Sequence, residues 1–457
     1  MNAPQEPKNR SVRMAVVAGL LLILLAVMLP RGGNDSESRK RANWTVIFNQ
    51  QAGSANRPRQ VARPGGSAKA TSTAEQIVWR HVSQFGRSRR EICFGLARKH
   101  QVEVPAEVER FFDAVEAGNW DELESLFDSI WKQHQAKPPV AEIEAIWPAV
   151  LDAYGAAEQA HEWPAQKLLD YGNAILGSLR PDSVYVGGTD PGRFVPALLN
   201  GSEGEPRIVI TQNGLADAKY LEYVQFLYGD RFAALAPEDA RTAQLEYLQD
   251  ARKRLEQNQL RPGEDVRLKA GELQSGFEDD AVQASGQISV MAVNELLLNK
   301  LLEKNPNLSF ALEESFPLKS VNADATPNGP IMELRAQEDN PFTPERASQS
   351  VEYWREQTKQ LMADAEFMES DYAKKSYSKL VSTQAGLLAD RNYQAEAEAA
   401  FQFANQLCPY CPEAVFRHVD LLLSQQRADD AARVLNNAIG ADPKNQQFRD
   451  LAAQLQK

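Results

Sequence analysis

The sequence predicts a chain of mixed architecture, in which a small α/β domain with a parallel-type sheet is combined with all-α helical hairpins. A C-terminal α-solenoid and a single N-terminal transmembrane helix complete the predicted fold class. Three observations support it: an uncharged apolar run near the N-terminus, short β-branched runs that each precede a helical segment, and a helical pattern that occurs twice in the same register near the C-terminus.

Composition excludes several classes of function. The formal net charge of −12 over 457 residues argues against a nucleic-acid partner, because binding phosphates requires a basic face. Three cysteines are too few for a scaffold built on disulfides, and the five histidines show no paired metal-ligand spacing. We therefore expect no metal site and no cofactor.

The apolar run from Met14 to Leu29 contains no charged residue and is followed by Pro30. At about 1.5 Å per residue it covers somewhat less than a ~30 Å hydrocarbon core. No small-residue cleavage site follows it, which favours an uncleaved signal anchor over a removable signal peptide. Residues 14–29 are thus predicted to hold the protein in a membrane, with the bulk of the chain outside the cytoplasm.

The stretch after this run is rich in Gly, Ser, Asn, Arg and Pro, a composition typical of a flexible stalk. Further on, apolar residues recur at helical spacing on both sides of Gly118-Asn119, which predicts a helical hairpin. The predicted division of the chain is 1–30 cytoplasmic tip and anchor, 31–73 stalk, 74–165 helical hairpins, 166–345 α/β domain with an insertion near 231–286, and 346–457 capping helix and repeats.

The α/β prediction depends on two β-branched runs, Ser183–Gly188 and Arg207–Thr211. Each is followed by a polar loop and a helical segment, an order typical of a parallel sheet with crossover helices. The domain is therefore predicted to be Rossmann-like. Leu308–Glu314 is a further predicted strand, and Ile331–Ala336 is a candidate edge strand.

Two C-terminal hairpins, at 378–411 and 412–445, have equal length and share one register, and each closes at a proline that cannot continue a helix. Small or apolar residues recur where the two helices of a tetratricopeptide-type hairpin approach closely. A module of this kind binds protein partners. The packing positions are Leu387, Tyr393, Ala397, Phe401, Ala404, Pro409, Leu422, Ala431, Leu435, Ala438 and Pro443.

The loops that follow the first two predicted strands are the best candidates for a ligand site. Ligands of open parallel sheets bind beyond the carboxyl ends of the strands, and an arginine there would suit a phosphate or carboxylate. The alternative is purely structural, with glycine turns and polar caps that start helices. The candidate ligand-binding residues are Thr189, Asp190, Arg193, Gln212, Asn213 and Asp217.

Cys408-Pro409-Tyr410-Cys411 has the spacing of a redox motif. In such motifs the first cysteine lies at a helix N-terminus, whereas the repeat register puts Cys411 there. A turn between hairpins is thus the better interpretation, with a local disulfide between Cys408 and Cys411 as an open alternative. No catalytic arrangement of Ser, His, Cys and Asp stands out, so catalytic residues are not assigned.

Four segments carry a resemblance to a known family: VYVGGTDPGRFVPALL, RIVITQNGLADAKYLEYVQFLYGD, SFALEESFPL with PNGPIMEL, and LCPYCPEAVFRHVDLLLSQQRADDA. They resemble the soluble C-terminal region of a bacterial family of protein-O-mannosyltransferase-like membrane proteins of unknown function, from about residue 168 onwards. The polytopic domain of that family is missing here, so the resemblance implies an accessory α/β-plus-repeat module and no transferase activity.

These features favour a membrane-anchored interaction scaffold or accessory subunit that binds a protein partner through its repeats. The alternative is a sugar- or phosphosugar-binding α/β domain that the repeats support. The two hypotheses differ in where the ligand lies, either on the repeats or at the strand-end loops.

Overall fold

The computed structural model places most of the chain after residue 72. The described residues are 73–181, 183–200, 207–261, 264–268, 282–285, 287–313, 324–334 and 342–455. The predicted membrane helix at 14–29 and all but the last residue of the predicted stalk lie outside them. Among the described residues no helix is both long and apolar enough to cross a membrane. The predicted location outside the cytoplasm stays a prediction.

The N-terminal region consists of five helices that pack around an aromatic and aliphatic core. They are α1 (Ala74–His100), α2 (Ala106–Ala117), α3 (Trp120–His134), α4 (Ala141–Glu162) and α5 (Ala165–Ser178). A capping box starts α1, since Thr73 and Gln76 each accept a backbone N–H of the other. Gly118, with φ of 68°, ends α2 and turns the chain into α3, at the predicted hairpin turn.

The middle region contains a five-stranded sheet and a two-stranded one. In chain order its elements are β1 (Ser183–Gly187), α6 (Asp190–Leu199), β2 (Ile208–Thr211), α7 (Ala218–Tyr228), α8 (Pro237–Glu256), β3 (Asp265–Leu268), β4 (Val282–Ser285), α9 (Gln287–Lys304), β5 (Ser309–Leu312), β6 (Ala325–Asn328) and β7 (Ile331–Leu334). The larger sheet has the order β2-β1-β5-β7-β6. Its strands β2, β1 and β5 are parallel, whereas β7 runs antiparallel to both β5 and β6.

The predicted fold class is therefore wrong. The described residues form sixteen α-helices, one small mixed sheet of five strands and an antiparallel pair of strands, instead of a parallel Rossmann-like domain with helical additions. A tight turn at Gly329, with φ of 58°, pairs β6 with β7 and adds them to the sheet as an antiparallel hairpin. Within the predicted insertion near 231–286, the described residues include α8 and the antiparallel pair β3 and β4.

Seven helices form the C-terminal region. They are α10 (Pro344–Met362), α11 (Ala365–Glu369), α12 (Asp371–Asp390), α13 (Gln394–Leu407), α14 (Pro412–Ser424), α15 (Ala428–Ala441) and α16 (Gln446–Leu455). Helices α13 and α15 have the same length, and they begin and end at equivalent positions of the two hairpins. Tyr393 N donates to Leu388 O at 3.0 Å, and Arg427 N donates to Leu422 O at 2.9 Å, so the hairpin turns repeat with the same hydrogen bond.

The predicted packing positions of the hairpins differ in burial. Tyr393 precedes α13, its hydroxyl donates to Phe342 O, and its ring stacks on that phenylalanine. Pro409 is half-buried in the turn and Pro443 is exposed. The remaining positions are buried: Leu387, Ala397, Phe401, Ala404, Leu422, Ala431, Leu435 and Ala438.

One buried amide joins the first hairpin to the sheet. Gln384 of α12 donates to Gly329 O at 2.8 Å and to Ile331 O at 3.1 Å. Its carbonyl oxygen accepts from Ser350 and Trp354 of α10. Both the amide donors and the carbonyl lone pairs of Gln384 are thus satisfied, and α12 is held against the turn between β6 and β7.

Candidate functional site

The loop between β1 and α6 contains the first group of predicted ligand-binding residues. Thr189 is the N-cap of α6, and its hydroxyl oxygen accepts the backbone N–H of Gly192 at 3.0 Å. Tyr185 fastens the same turn from β1 by donating its hydroxyl to Gly192 O at 2.8 Å. The loop is therefore a rigid helix start with backbone amides directed at one point.

A glutamate from another strand occupies that point. Glu313 directly follows β5, and its side chain accepts from the backbone amides of Gly188 and Thr189 at 2.9 and 3.0 Å. It also accepts from the hydroxyls of Thr189 and Tyr171. The residue is only 3% exposed. The amides expected to hold a phosphate or carboxylate ligand thus already hold a carboxylate of the chain.

Arg193, the predicted anion holder, faces inward. One of its amino groups donates to Asp152 Oδ1 at 3.0 Å, while Arg89 of α1 donates to Asp152 Oδ2 at 3.0 Å. The hydroxyl of Tyr223 completes the network by donating to Asp152 Oδ2 at 2.6 Å. Burial would raise the pKa of Asp152, but Arg193 and Arg89 outweigh it and hold that pKa below its ordinary value. The network joins α1, α4, α6 and α7.

The residues of the loop after β2 also form hydrogen bonds with other residues of the chain. Asn213 donates its side-chain amide to Gly188 O at 2.8 Å, which ties the two strand-end loops together. Gln212 is buried, and Asp217 is an exposed N-cap of α7 that accepts from Lys219 N. Of the six predicted residues, the structure brings Thr189 and Asn213 to the loop junction, turns Arg193 toward Asp152 and leaves Asp217 on the surface.

The sixth residue, Asp190, is the half-buried first residue of α6 and interacts electrostatically with Glu158 of α4 and Lys379 of α12. Burial raises its pKa to about 7, although Arg193 and Lys379 oppose this shift. Glu158 of α4 has its pKa raised to about 8 by burial and by the charge of Asp190. Tyr372 of α12 also lies within the electrostatic reach of both carboxyl groups. Carboxyl groups that stay protonated near neutral pH can donate hydrogen bonds or act as general acids.

The cysteine pair lies in the turn between the two C-terminal hairpins. Cys408 and Cys411 are free and buried, so the possible disulfide is not formed in the structure. A hydrogen bond with Cys408 and burial raise the pKa of the Cys411 thiol well above its ordinary value. Cys411 Sγ donates to Glu413 at 3.3 Å as the chain enters α14. The tetrapeptide acts here as the turn between two hairpins.

Sequence reasoning missed the two acidic residues that organise this region. Asp152 lies in the run IWPAVLDAYGAA, where one charge interrupts an otherwise apolar helix. Glu313 directly follows the strand SFAL, at the carboxyl end of a parallel strand. Both signals were present, because a charged side chain inside a buried segment requires a partner. Their hydrogen-bond partners lie far away in the chain, so no local sequence pattern identifies them.

Among the described residues no group of three or more His, Cys, Asp or Glu side chains is arranged to hold a metal ion. Comparisons with protein-family models, with curated proteins and with solved structures found no match for the chain.

Proposed function

We propose that the protein is an interaction scaffold or accessory subunit whose C-terminal hairpins, of tetratricopeptide type, bind a protein partner. The observation that carries this proposal is the repetition of helix ends and turn hydrogen bonds between the two hairpins, which gives two stacked units of the same shape. Stacked hairpins present the faces of their first helices as one continuous surface, and such surfaces bind peptides and proteins.

The partner surface is assigned to the side of α14 that continues from α12. The inner part of α12 near Gln384 is covered by the sheet, but Lys379 and Glu413 occupy equivalent positions of successive repeats and form an ion pair at 3.2 Å. Asp420 follows Glu413 by two helical turns and so shares its face of α14. Lys379, Glu413 and Asp420 are each half-buried, so part of this face remains accessible to solvent.

The charge of this surface favours a basic partner segment. Burial would raise the pKa of Glu413, but Lys379 outweighs it and holds that pKa below its ordinary value, so Glu413 is ionised. Burial raises the pKa of Asp420 to about 7, so this residue carries part of a negative charge near neutral pH. A surface with acidic excess attracts Lys- and Arg-rich segments and repels acidic ones. We therefore expect binding that weakens as the salt concentration rises.

The test is quantitative recovery of partners with the tagged full-length chain. Asp420→Arg reverses a charge on the proposed face, and Asp429→Arg makes the same change on the exposed side of α15 as a matched control. Any partner bound at the proposed face should be lost with Asp420→Arg and retained with Asp429→Arg. Equal recovery by both variants and the wild type would refute the assignment.

A second candidate is a sugar or phosphosugar ligand, favoured by the half-buried carboxyl groups of Glu158 and Asp190, which interact electrostatically. Tyr154, which donates its hydroxyl to Glu158 at 3.2 Å, lies beside the ring of Trp120. Thermal melts of the full-length chain against nucleotide sugars and polyprenyl phosphates test this candidate. A ligand should raise the Tm of the wild type, and Glu158→Gln and Asp190→Asn should abolish the shift. No shift with any compound would eliminate the candidate.

A further inference from the structure

The loop between β1 and α6, together with Tyr171, forms a nest of hydrogen-bond donors around Glu313. The backbone amides of Gly188 and Thr189 donate to Glu313 Oε2, and the hydroxyls of Thr189 and Tyr171 donate to Oε1. The Thr189 oxygen accepts from Gly192 N, so its own hydrogen is directed to the glutamate. Four donors thus surround one carboxylate, and the backbone N–H of Glu313 is fixed separately on Val186 O at 3.2 Å.

These donors have the properties of a binding site for an anion. Two are backbone amides, of Thr189 at the N-cap of the ten-residue helix α6 and of Gly188 just before it, near the helix end where the dipole favours negative charge. The group they hold is buried, which strengthens a charge-assisted hydrogen bond relative to one in water. Buried carboxylates are costly unless they are fully hydrogen-bonded, and this one is.

We propose that this nest is a binding site for a small carboxylate, which the chain fills with Glu313 as an internal ligand. A free carboxylate of similar size can enter only when the glutamate side chain is absent or displaced. Glu313 is therefore a competitor of any acidic ligand at the predicted strand-end site. The inference is independent of the proposed partner surface, because it concerns other residues.

Gly192 provides a structural check on this inference. A methyl group on Gly192 would overlap the carboxylate of Glu313, although the glycine has no unusual φ. Gly192→Ala should therefore displace the glutamate and destabilise the protein, and the same change should cost much less in a Glu313→Ala background. The methyl group would also fill the space that an added carboxylate needs.

The experiment is chemical rescue of the full-length Glu313→Ala variant by sodium acetate, whose atoms replace those that the substitution removes. We expect acetate to raise the Tm of the variant by about 2–4 °C in a saturable manner. Sodium chloride at equal ionic strength should not do so, and the wild type should not respond. Asp217→Ala, which removes an exposed carboxylate cap from the neighbouring loop, is the matched control and should not respond either.

The double variant Gly192→Ala with Glu313→Ala should lose the acetate response. If Glu313→Ala does not fold alone, acetate should restore refolding where chloride does not. Equal effects of acetate and chloride in melting or in refolding would overturn the proposal, as would an acetate response that persists in the double variant. Phosphate is included as a larger anion, and a stronger response to phosphate than to acetate would overturn the carboxylate assignment.

Discussion

Asn392 and Gln426 occupy equivalent positions of the two C-terminal hairpins and have the same left-handed backbone conformation, with φ of 64° and 60°. Each lies in the turn between the two helices of its hairpin. Asparagine tolerates this conformation better than glutamine does, and glycine tolerates it without a steric cost. The two equivalent turns therefore differ in strain.

We predict that Gln426→Gly stabilises the protein by about 0.5–1 kcal/mol, and that Asn392→Gly changes stability less. Urea unfolding of the full-length chain, followed by circular dichroism, measures the difference. Gly440→Ala, within α15, serves as a control for helix propensity. An equal gain from both turn substitutions would contradict the strain argument.

The buried carboxylate of Asp152 balances two arginines, and its removal should be costly. Asp152→Asn leaves the guanidinium groups of Arg89 and Arg193 without their anion, and we expect a loss of about 3–5 kcal/mol in the free energy of unfolding. Glu352→Gln breaks an exposed ion pair with Arg355 and should cost at most about 1 kcal/mol. Similar losses for the two variants would show that the buried network is not a stabilising contact.

The carboxyl group of Glu158 predicts a loss of stability as pH rises. The pKa of Glu158 is raised from 4.5 to about 8, so the folded state binds more protons than the unfolded state between these values. Its stabilising contribution is present below pH 4.5 and is lost as pH rises through about 8. Glu158→Gln should flatten the fall in stability from about pH 5 to pH 8. An unchanged pH profile would contradict the prediction.

The buried His418 predicts the opposite change of stability with pH. This histidine of α14 is buried against Phe401 and bonded to Asn405, and burial lowers its pKa from 6.5 to about 4. The folded state therefore binds fewer protons, and stability is lost as pH falls from 6.5 through about 4. His418→Phe, which keeps a ring next to Phe401, should reduce this acid-induced loss. Denaturant unfolding at pH 4, 5 and 7 compares the slopes of the two proteins.

The three thiols should be unreactive in the folded protein. Cys93, Cys408 and Cys411 are all buried, and burial raises the pKa of Cys93 to about 12. Because the thiolate is the reactive form, a disulfide reagent such as DTNB should label no thiol rapidly in native buffer and all three in denaturant. Rapid labelling of one thiol in the folded state would revive a redox role for the cysteine pair.

Local spacing accounts for the parts that could be predicted. The hairpin about Gly118 and the turns of the C-terminal repeats depend on contacts between residues close in the chain. Prolines, small residues and apolar periodicity encode such contacts directly. The alternation of β-branched residues marked β1 and β2, although their pairing partners are distant. The candidate site residues were predicted in the same way, because the sequence pattern shows a polar loop after each β-branched run. Their bonding partners were not visible.

The sequence by itself determined the positions of the turns within the helical hairpins, because each turn is closed by hydrogen bonds between near neighbours in the chain. The first helix of the first hairpin begins at Asp371, ahead of the predicted repeat start at 378. Only the tertiary structure decided the direction of β7 and the occupant of the strand-end nest. Glu313 lies 125 residues from Gly188, and Asp152 lies 41 residues from Arg193. Buried charges choose their partners by proximity in space, and no local periodicity records which distant segment supplies the partner.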